Sequence, residues 1–292
     1  DSDYHEQDLD TLSQEQVHLT VDQRKQLAEL LKKHSDLFRG NLGTWPDEKI
    51  DFELRPDSKP FHCQRPIRIP RILIETLTIE VNRLCKIGVL EKVYEGEAGP
   101  WCAASWIIPK KGGQVRFITD FREVNKCIRR KPWPMPHIMD LIQDIGSYDY
   151  VTAIDLSMAF YHFELSPKAS EMTTFMLPFG LFKYRRLAMG LSISPDVLQG
   201  HMARLFANQS HIKVYMDDLL VFTKGGYSNH LEAVDKALSR LETKNLAVNA
   251  QKTFWCVDKV DYLGFRLTKQ GVLPQPKKVD AITGMRAPTN KT

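Results

Sequence analysis

Two adjacent carboxylates, Asp217 and Asp218, interrupt an apolar run, Tyr215-Met216-Asp217-Asp218-Leu219-Leu220-Val221-Phe222. A charge buried there without a partner is costly. Along a regular strand, adjacent side chains also leave on opposite faces. Both constraints are met if Ile212 to Tyr215 and Leu219 to Phe222 are strands joined by a tight turn that holds the acids at the edge of a site. Asp155 repeats the pattern, closing the apolar run Val151-Thr152-Ala153-Ile154 just before Leu156. Carboxylate oxygens suit hard divalent cations. Three such groups at the ends of neighbouring strands can hold two Mg²⁺ ions roughly 3.5–4 Å apart, one activating a hydroxyl and the other neutralising a leaving phosphate. An Asp-Asp hairpin tip is also an ordinary solvated turn, and these residues alone leave both readings open.

The remaining pattern is mixed. Residues 1–13 read as a tail. Thr20 and Gln23 have capping-box spacing ahead of a helical face of Leu27, Leu30, Leu31, Leu37 and Phe38, which Gly40 stops. Asn41 to Pro70 is Pro-rich and irregular, with a short alternating piece at Ile50 to Leu54, and suits a segment draped over a neighbour. Helices are predicted over Ile72 to Ile87, from near Pro136, from Ser194-Pro195 to about Ala207 with Ser194 as N-cap, and over Asn229 to Lys244. Ala104 to Pro109 and Val115 to Thr119 flank Lys110-Lys111-Gly112-Gly113 as a β-hairpin. Tyr150 to Ile154, Leu246 to Val248 and Tyr262 to Leu267 read as extended. Local hairpins in place of regular βαβ repeats argue against a doubly wound sheet and point to an α+β fold.

Charge is unevenly spread. Residues 1–60 carry 8 basic and 14 acidic side chains, a net of −6, against +10 on the rest. Lys110 to Lys131 alone contains eight basic and two acidic residues. That distribution suggests an anionic partner without choosing one. The five cysteines, Cys63, Cys85, Cys102, Cys127 and Cys256, lack metal-ligand spacing. Their odd number, with no signal segment, points to structural thiols in a reducing compartment. No run of 18 apolar residues is present, which argues against a membrane span.

These motifs, in this order, resemble the polymerase domain of reverse transcriptases, specifically those of Ty3/gypsy-class LTR retrotransposons. Tyr215-Met216-Asp217-Asp218 is similar to the family's Tyr-x-Asp-Asp box, and Asp155-Leu156-Ser157-Met158-Ala159-Phe160 to its first catalytic motif. Arg116 to Lys126, Leu177-Pro178-Phe179-Gly180-Leu181, Met189 to Pro195 and Leu263-Gly264-Phe265 supply further blocks between about Leu37 and Ile282. The resemblance implies a right-hand fingers–palm fold with an antiparallel palm sheet and an incomplete thumb or connection. It divides the chain into an acidic lead-in (1–70), fingers and palm (71–282) and the start of a following region (283–292).

By the same resemblance, Asp155, Asp217 and Asp218 are catalytic and metal-binding, with two Mg²⁺ ions and Mn²⁺ as a substitute. Asp155 and Asp217 would be the principal ligands. Arg116 and one of Lys110 and Lys111 would contact the triphosphate of a dNTP. Phe160 would exclude a ribose 2′-hydroxyl, and Met189 and Gly190 would pack on the nascent base pair. Arg122 would lie near template and fingers, Gln199 would support the palm, and the Leu263-Gly264-Phe265 hairpin would seat the primer end. The implied partners are a primer–template duplex of RNA/DNA or DNA/DNA and dNTPs, with no membrane; the implied location is a cytoplasmic particle. Where the family usually has Met-Pro-Phe-Gly, this chain has Leu187-Ala188-Met189-Gly190; Ala159 and His162 replace its usual Gly and Gln. The activity so implied is template-directed DNA synthesis. The alternative is a catalytically silent nucleic-acid-binding remnant of a retroelement polyprotein.

Overall fold

A computed structural model describes residues 6–46, 48–109 and 115–275. Lys110 and Lys111, and the boundary expected at 282, lie outside the described residues.

The architecture is built around strand Tyr150–Ser157. It pairs antiparallel with Asp218–Thr223, whose other edge pairs with Ile212–Tyr215. Ala247–Val248 and Phe254–Val257 occupy its opposite edge at successive positions. Apolar side chains fill both faces of this sheet, which is why its sequence reads as a near-continuous apolar run. Ile154, Leu156, Leu219 and Val221 enter the larger core, covered by helix Gly226–Glu242. Val151, Leu220 and Phe222 enter a smaller one with Ile142, Ile145, Val260, Tyr262 and Leu267. That second core is closed by the short helix Ile138–Gln143 and by the hairpin sheet Lys259–Tyr262, Phe265–Thr268 and Gly271–Pro274.

A second sheet of five strands has the order Leu90–Val93, Gly180–Tyr184, Phe175–Leu177, Ala103–Pro109 and Val115–Thr119. Its last two strands form the expected basic hairpin. Its Phe175–Leu177 and Gly180–Tyr184 strands are joined by the two-residue turn Pro178-Phe179. Helix Arg71–Lys86 packs beneath this sheet through Leu77, Val81 and Leu84 and ends at Gly88, whose φ of 77° is a left-handed stop.

Three expectations are corrected. Part of the supposed tail is helix Leu9–Gln14, capped by Asp8 and docked on helix Val21–Lys33 by the buried pair Leu9 and Leu12. Ser194 is not an N-cap but the first residue of helix Ser194–Leu205; its hydroxyl donates to Ala188 O at 2.6 Å. Asp155 does not end its strand, because Ala247–Val248 pairs with Leu156 and Ser157 and carries the ladder beyond it. The capping box of Thr20 and Gln23 forms as expected. The irregular lead-in does lie across the main body, burying Trp45, Ile50, Phe52 and Ile69 in the larger core.

Two histidines inside this core carry a pH dependence. His162 donates Nδ1–H to Met158 O at 3.1 Å, and its Nε2 accepts the Ala247 amide at 3.0 Å, so one neutral tautomer meets both bonds. His230 bridges the hydroxyls of Thr152 and Thr223, 2.8 Å from each. Burial pushes both imidazoles down to about 4. An unfolded imidazole titrates near about 6.5, so between those values the unfolded chain binds more protons. Stability is therefore full above pH ~6.5 and falls as the pH drops toward ~4, by up to about 3 kcal/mol per histidine. In His162→Gln, an amide oxygen and nitrogen can replace the two ring contacts. Urea unfolding of this variant should show near-parental stability at pH 7.5 and a shallower loss on acidification; an unchanged slope would contradict the assignment.

Candidate active site

The antiparallel register sets Asp155 directly opposite Asp218, a pairing that brings Cα atoms within about 5 Å. Asp217 stands one residue earlier, on the turn between Tyr215 and Asp218. Only Met216 and Asp217 lie between the paired residues Tyr215 and Asp218, so the hairpin is tighter than a three-residue connection. Met216 closes it with φ of 56°, a left-handed conformation uncommon for a side chain of that size. Gln199 holds the turn there: its Oε1 accepts the Met216 amide at 2.6 Å and its Nε2 donates to Val214 O at 3.3 Å. The polar residue expected to support the palm is thus buried beneath the acid-bearing turn.

The acids line two adjoining recesses, with Asp155 and Lys252 common to both. Asp155 and Asp217 line a cleft of about 240 Å³ with Arg116, Phe160, Met189 and Lys252. Asp218 lines the neighbouring hollow with Phe254, Asp261, Tyr262 and Leu263. Desolvation, then the charges of Asp217 and Asp155, push the Asp218 carboxyl up to about 6. Asp155 is raised chiefly by burial; the Lys252 ammonium opposes that rise and Asp217 adds to it. Among the described residues, no group of three or more His, Cys, Asp or Glu side chains is gathered so as to hold a metal ion. The donor chemistry nevertheless fits Mg²⁺, which is ordinarily held by one or two carboxylates with substrate phosphates and water completing the shell. Repelling carboxylates supply the charge that such an ion would offset.

Of the nucleotide-contact candidates among the described residues, Arg116, Phe160 and Met189 line the same cleft. Phe160 stands on the 3₁₀ turn Ala159–His162, which follows Met158 in a left-handed conformation (φ 52°). Arg116 projects from the basic hairpin, opposite Ile108. Met189 is 58% exposed, with Gly190 next to it at φ 91°. Arg122 lies apart from the cleft lining and forks onto Asp120, with contacts of 2.7 to 3.1 Å. Leu263-Gly264 forms the expected hairpin turn between Lys259–Tyr262 and Phe265–Thr268, and brings Leu263 beside Asp218.

Two contributors escaped sequence reasoning. Asn125 spans the Gly190 loop, donating Nδ2–H to Gly190 O and accepting the Ser192 amide, both at 2.8 Å. It lies within the quoted block Arg116 to Lys126, but nothing in its spacing indicated this bridge. Lys252 reaches the cleft from a loop 97 positions after Asp155 in the chain, and no local pattern joins the two.

This pair of sheets, with carboxylates on the hairpin of one and a basic hairpin in the other, is the fingers–palm arrangement of a right-hand polymerase. Residues 108–267, more than half of the chain, match the reverse transcriptase (RNA-dependent DNA polymerase) family, and the chain belongs to that family. It is 27% identical over 288 residues to the Retrovirus-related Pol polyprotein from transposon 412 of Drosophila melanogaster, covering 90% of this chain and 23% of that protein. It is 25% identical over 287 residues to the Transposon Tf2-3 polyprotein of Schizosaccharomyces pombe, covering 96% and 21%. The domain is thus related to Ty3/gypsy-class retrotransposon polyproteins, and the chain spans less than a quarter of the length of these relatives. Among solved structures, the foamy viral protease–reverse transcriptase shares the fold: in its complex with double-stranded DNA the TM-score is 0.85 at 23% identity, covering 97% of this chain and 50% of that one. With an RNA/DNA hybrid the values are 0.84 and 22%, covering 97% and 38%. Among the described residues no helix is long and apolar enough to cross a membrane.

The mutual charge of the acids can be read without any ligand. Replacing Asp217 by Asn removes the larger of the two carboxylate neighbours that raise Asp218. Carboxyl ¹³C NMR titration of Asp217→Asn should find Asp218 titrating below its parental value and closer to the ordinary range; an unmoved midpoint would separate the two groups.

Proposed function

We propose that this chain carries out template-directed DNA synthesis, adding dNTPs to a primer 3′-hydroxyl on an RNA or DNA template. The observation that carries the reading is the convergence of Asp155 and Asp217 with Arg116, Phe160 and Met189 on one cleft. Asp155 and Asp217 are the ligands offered to Mg²⁺, with Asp218 completing the acidic cluster. Bound there, the ions would lower the charge barrier between the attacking hydroxyl and the phosphate and stabilise the leaving pyrophosphate.

The chain's own residues do the positioning. Arg116 supplies a fixed positive charge for the triphosphate, and its guanidinium suits phosphate oxygens. Lys110 or Lys111 adds a second. Phe160 lines the cleft, where its ring would leave room for a deoxyribose and meet a ribose 2′-hydroxyl. Gly190, held by Asn125, lets the backbone approach the nascent pair beside Met189. Contacts to the duplex go chiefly to phosphates, so binding is sequence-tolerant and weakens with salt. The foamy viral enzyme's complexes with double-stranded DNA and with an RNA/DNA hybrid support duplexes of both kinds as partners.

The test is extension of oligo(dT) on poly(rA) with dTTP and Mg²⁺. The parent should extend the primer, whereas Asp217→Asn and Asp155→Asn should lose about a hundred- to a thousand-fold in rate, the scale of a removed electrostatic stabiliser. A parent that binds the duplex but never extends it, with Mg²⁺ or Mn²⁺, would replace this reading with the silent remnant. Separately, Phe160→Val should raise incorporation of rNTP relative to dNTP by about ten-fold or more, the scale of a relieved steric clash. Unchanged discrimination would remove Phe160 from that role.

A further inference from the structure

The loop Asn249–Thr253 grips the backbone of Asp155 on both sides. The Asp155 amide donates to Thr253 Oγ1 at 3.2 Å, and the Asp155 carbonyl accepts the Asn249 amide at 2.9 Å. The loop is closed on itself by the Thr253 amide and hydroxyl, which donate to Asn249 O at 3.1 and 2.8 Å, and by the Lys252 amide, which donates to Asn249 Oδ1 at 3.1 Å. It also presents Lys252 to the cleft. From within, the loop is fixed by the fully buried Trp255, whose Nε1 donates to Ala250 O at 3.0 Å.

Its other side is held by a residue almost at the start of the described chain. Gln7 Oε1 accepts the amides of Ala250 and Gln251 at 2.7 and 3.3 Å. Gln7 Nε2 donates to Val248 O at 3.1 Å and Phe38 O at 3.4 Å, and the Gln7 amide donates to Phe38 O at 3.2 Å. The side chain thus ties the lead-in to both ends of the Val248–Ala250 corner. Gln7 itself is immobilised because the adjoining helix Leu9–Gln14 buries Leu9 and Leu12 against helix Val21–Lys33. Ala250 is buried, so removing its acceptor leaves a donor with no ready exchange partner.

We infer that Gln7 is a positioning residue: through the Asn249–Thr253 loop it sets the placement of Asp155 and Lys252 in the cleft, making the lead-in helix a working part of the site. This rests on the polymerase reading for its activity arm. The polar clamp acts at the backbone, so its loss displaces the cleft groups while the two apolar cores, which do not contain Gln7, keep the fold.

The test compares the parent with Gln7→Ala and Gln7→Glu in the full chain, the latter keeping acceptor oxygens for both amides but losing the donor to Val248 O and Phe38 O. In single-turnover incorporation of dTTP on poly(rA)·oligo(dT), Gln7→Ala should lower the maximal rate about ten-fold, as a small misplacement of reacting groups does, with the duplex Kd unchanged. Gln7→Glu, with the acceptor half of the clamp alone, should recover part of that rate. A parental rate in Gln7→Ala, or a rate that falls only in step with duplex affinity, would overturn the inference. Should the parent extend no primer, the polymerase reading fails, and hydrogen exchange still decides the clamp. Faster exchange at the Ala250, Gln251 and Asp155 amides in Gln7→Ala supports it; unchanged exchange overturns it.

Discussion

The antiparallel register between Tyr150–Ser157 and Asp218–Thr223 is the constraint from which the rest follows. A slip of one residue would reverse the faces of every side chain on one strand, sending Leu219 and Val221 out of the larger core and Leu220 and Phe222 out of the smaller. Both faces being apolar, register is enforced from two sides, and the placement of Asp218 opposite Asp155 is a by-product of that packing. The repulsion felt by Asp218 is thereby offset by hydrophobic burial several residues away. An acidic site needs such a scaffold, because carboxylates free to move would separate.

The turn adds a second requirement. Two residues must cross between strands while Asp217 faces the cleft and Asp218 re-enters the ladder. Met216 meets this in a left-handed conformation, and Gln199 compensates by capping its amide. Strain at a functional turn is thus balanced by a buried hydrogen bond from a separate helix. Asn125 performs the same service for the Gly190 loop. Two segments that border the cleft, the Met216-Asp217 turn and the Met189-Gly190 loop, are thus irregular backbone pinned by amide side chains from helices.

Much of this was legible in the order of residues, for local physical reasons. Alternation, caps and glycine stops marked helices Val21–Lys33, Arg71–Lys86 and Gly226–Glu242 and the basic hairpin. Acids in an apolar run marked Asp155, Asp217 and Asp218. Legibility failed where a residue's meaning depends on a distant partner. Leu9 and Leu12 look like part of a polar tail until helix Val21–Lys33 is beside them. Ser194 has the chemistry of a cap, but Ala188 O claims its hydroxyl. Asp155 looks like a strand end because the two-residue strand that extends its ladder comes some 90 positions later. Lys252 and Gln7 belong to the same class, since their roles exist only once the loop meets the sheet.

The charge pattern shows how far composition carries. Lys110 to Lys131 reads as a strongly basic stretch open to any anion, yet within the fold most of it is already paired. Arg122 meets Asp120, Lys126 meets Glu123, and Arg130 forks onto the buried Asp196. Arg129 and Lys131 both reach Glu53, so the acidic lead-in neutralises part of the basic body across which it lies. The exposed pairs among them contribute little to stability, but they cancel field at a distance. Arg116 carries no ion pair to another described residue, and it faces the cleft. The sequence-wide excess of positive charge therefore overstates the pull of the surface and understates its focus: among the described residues of this stretch, the cation left for an anionic ligand is the one set opposite Asp155 and Asp217.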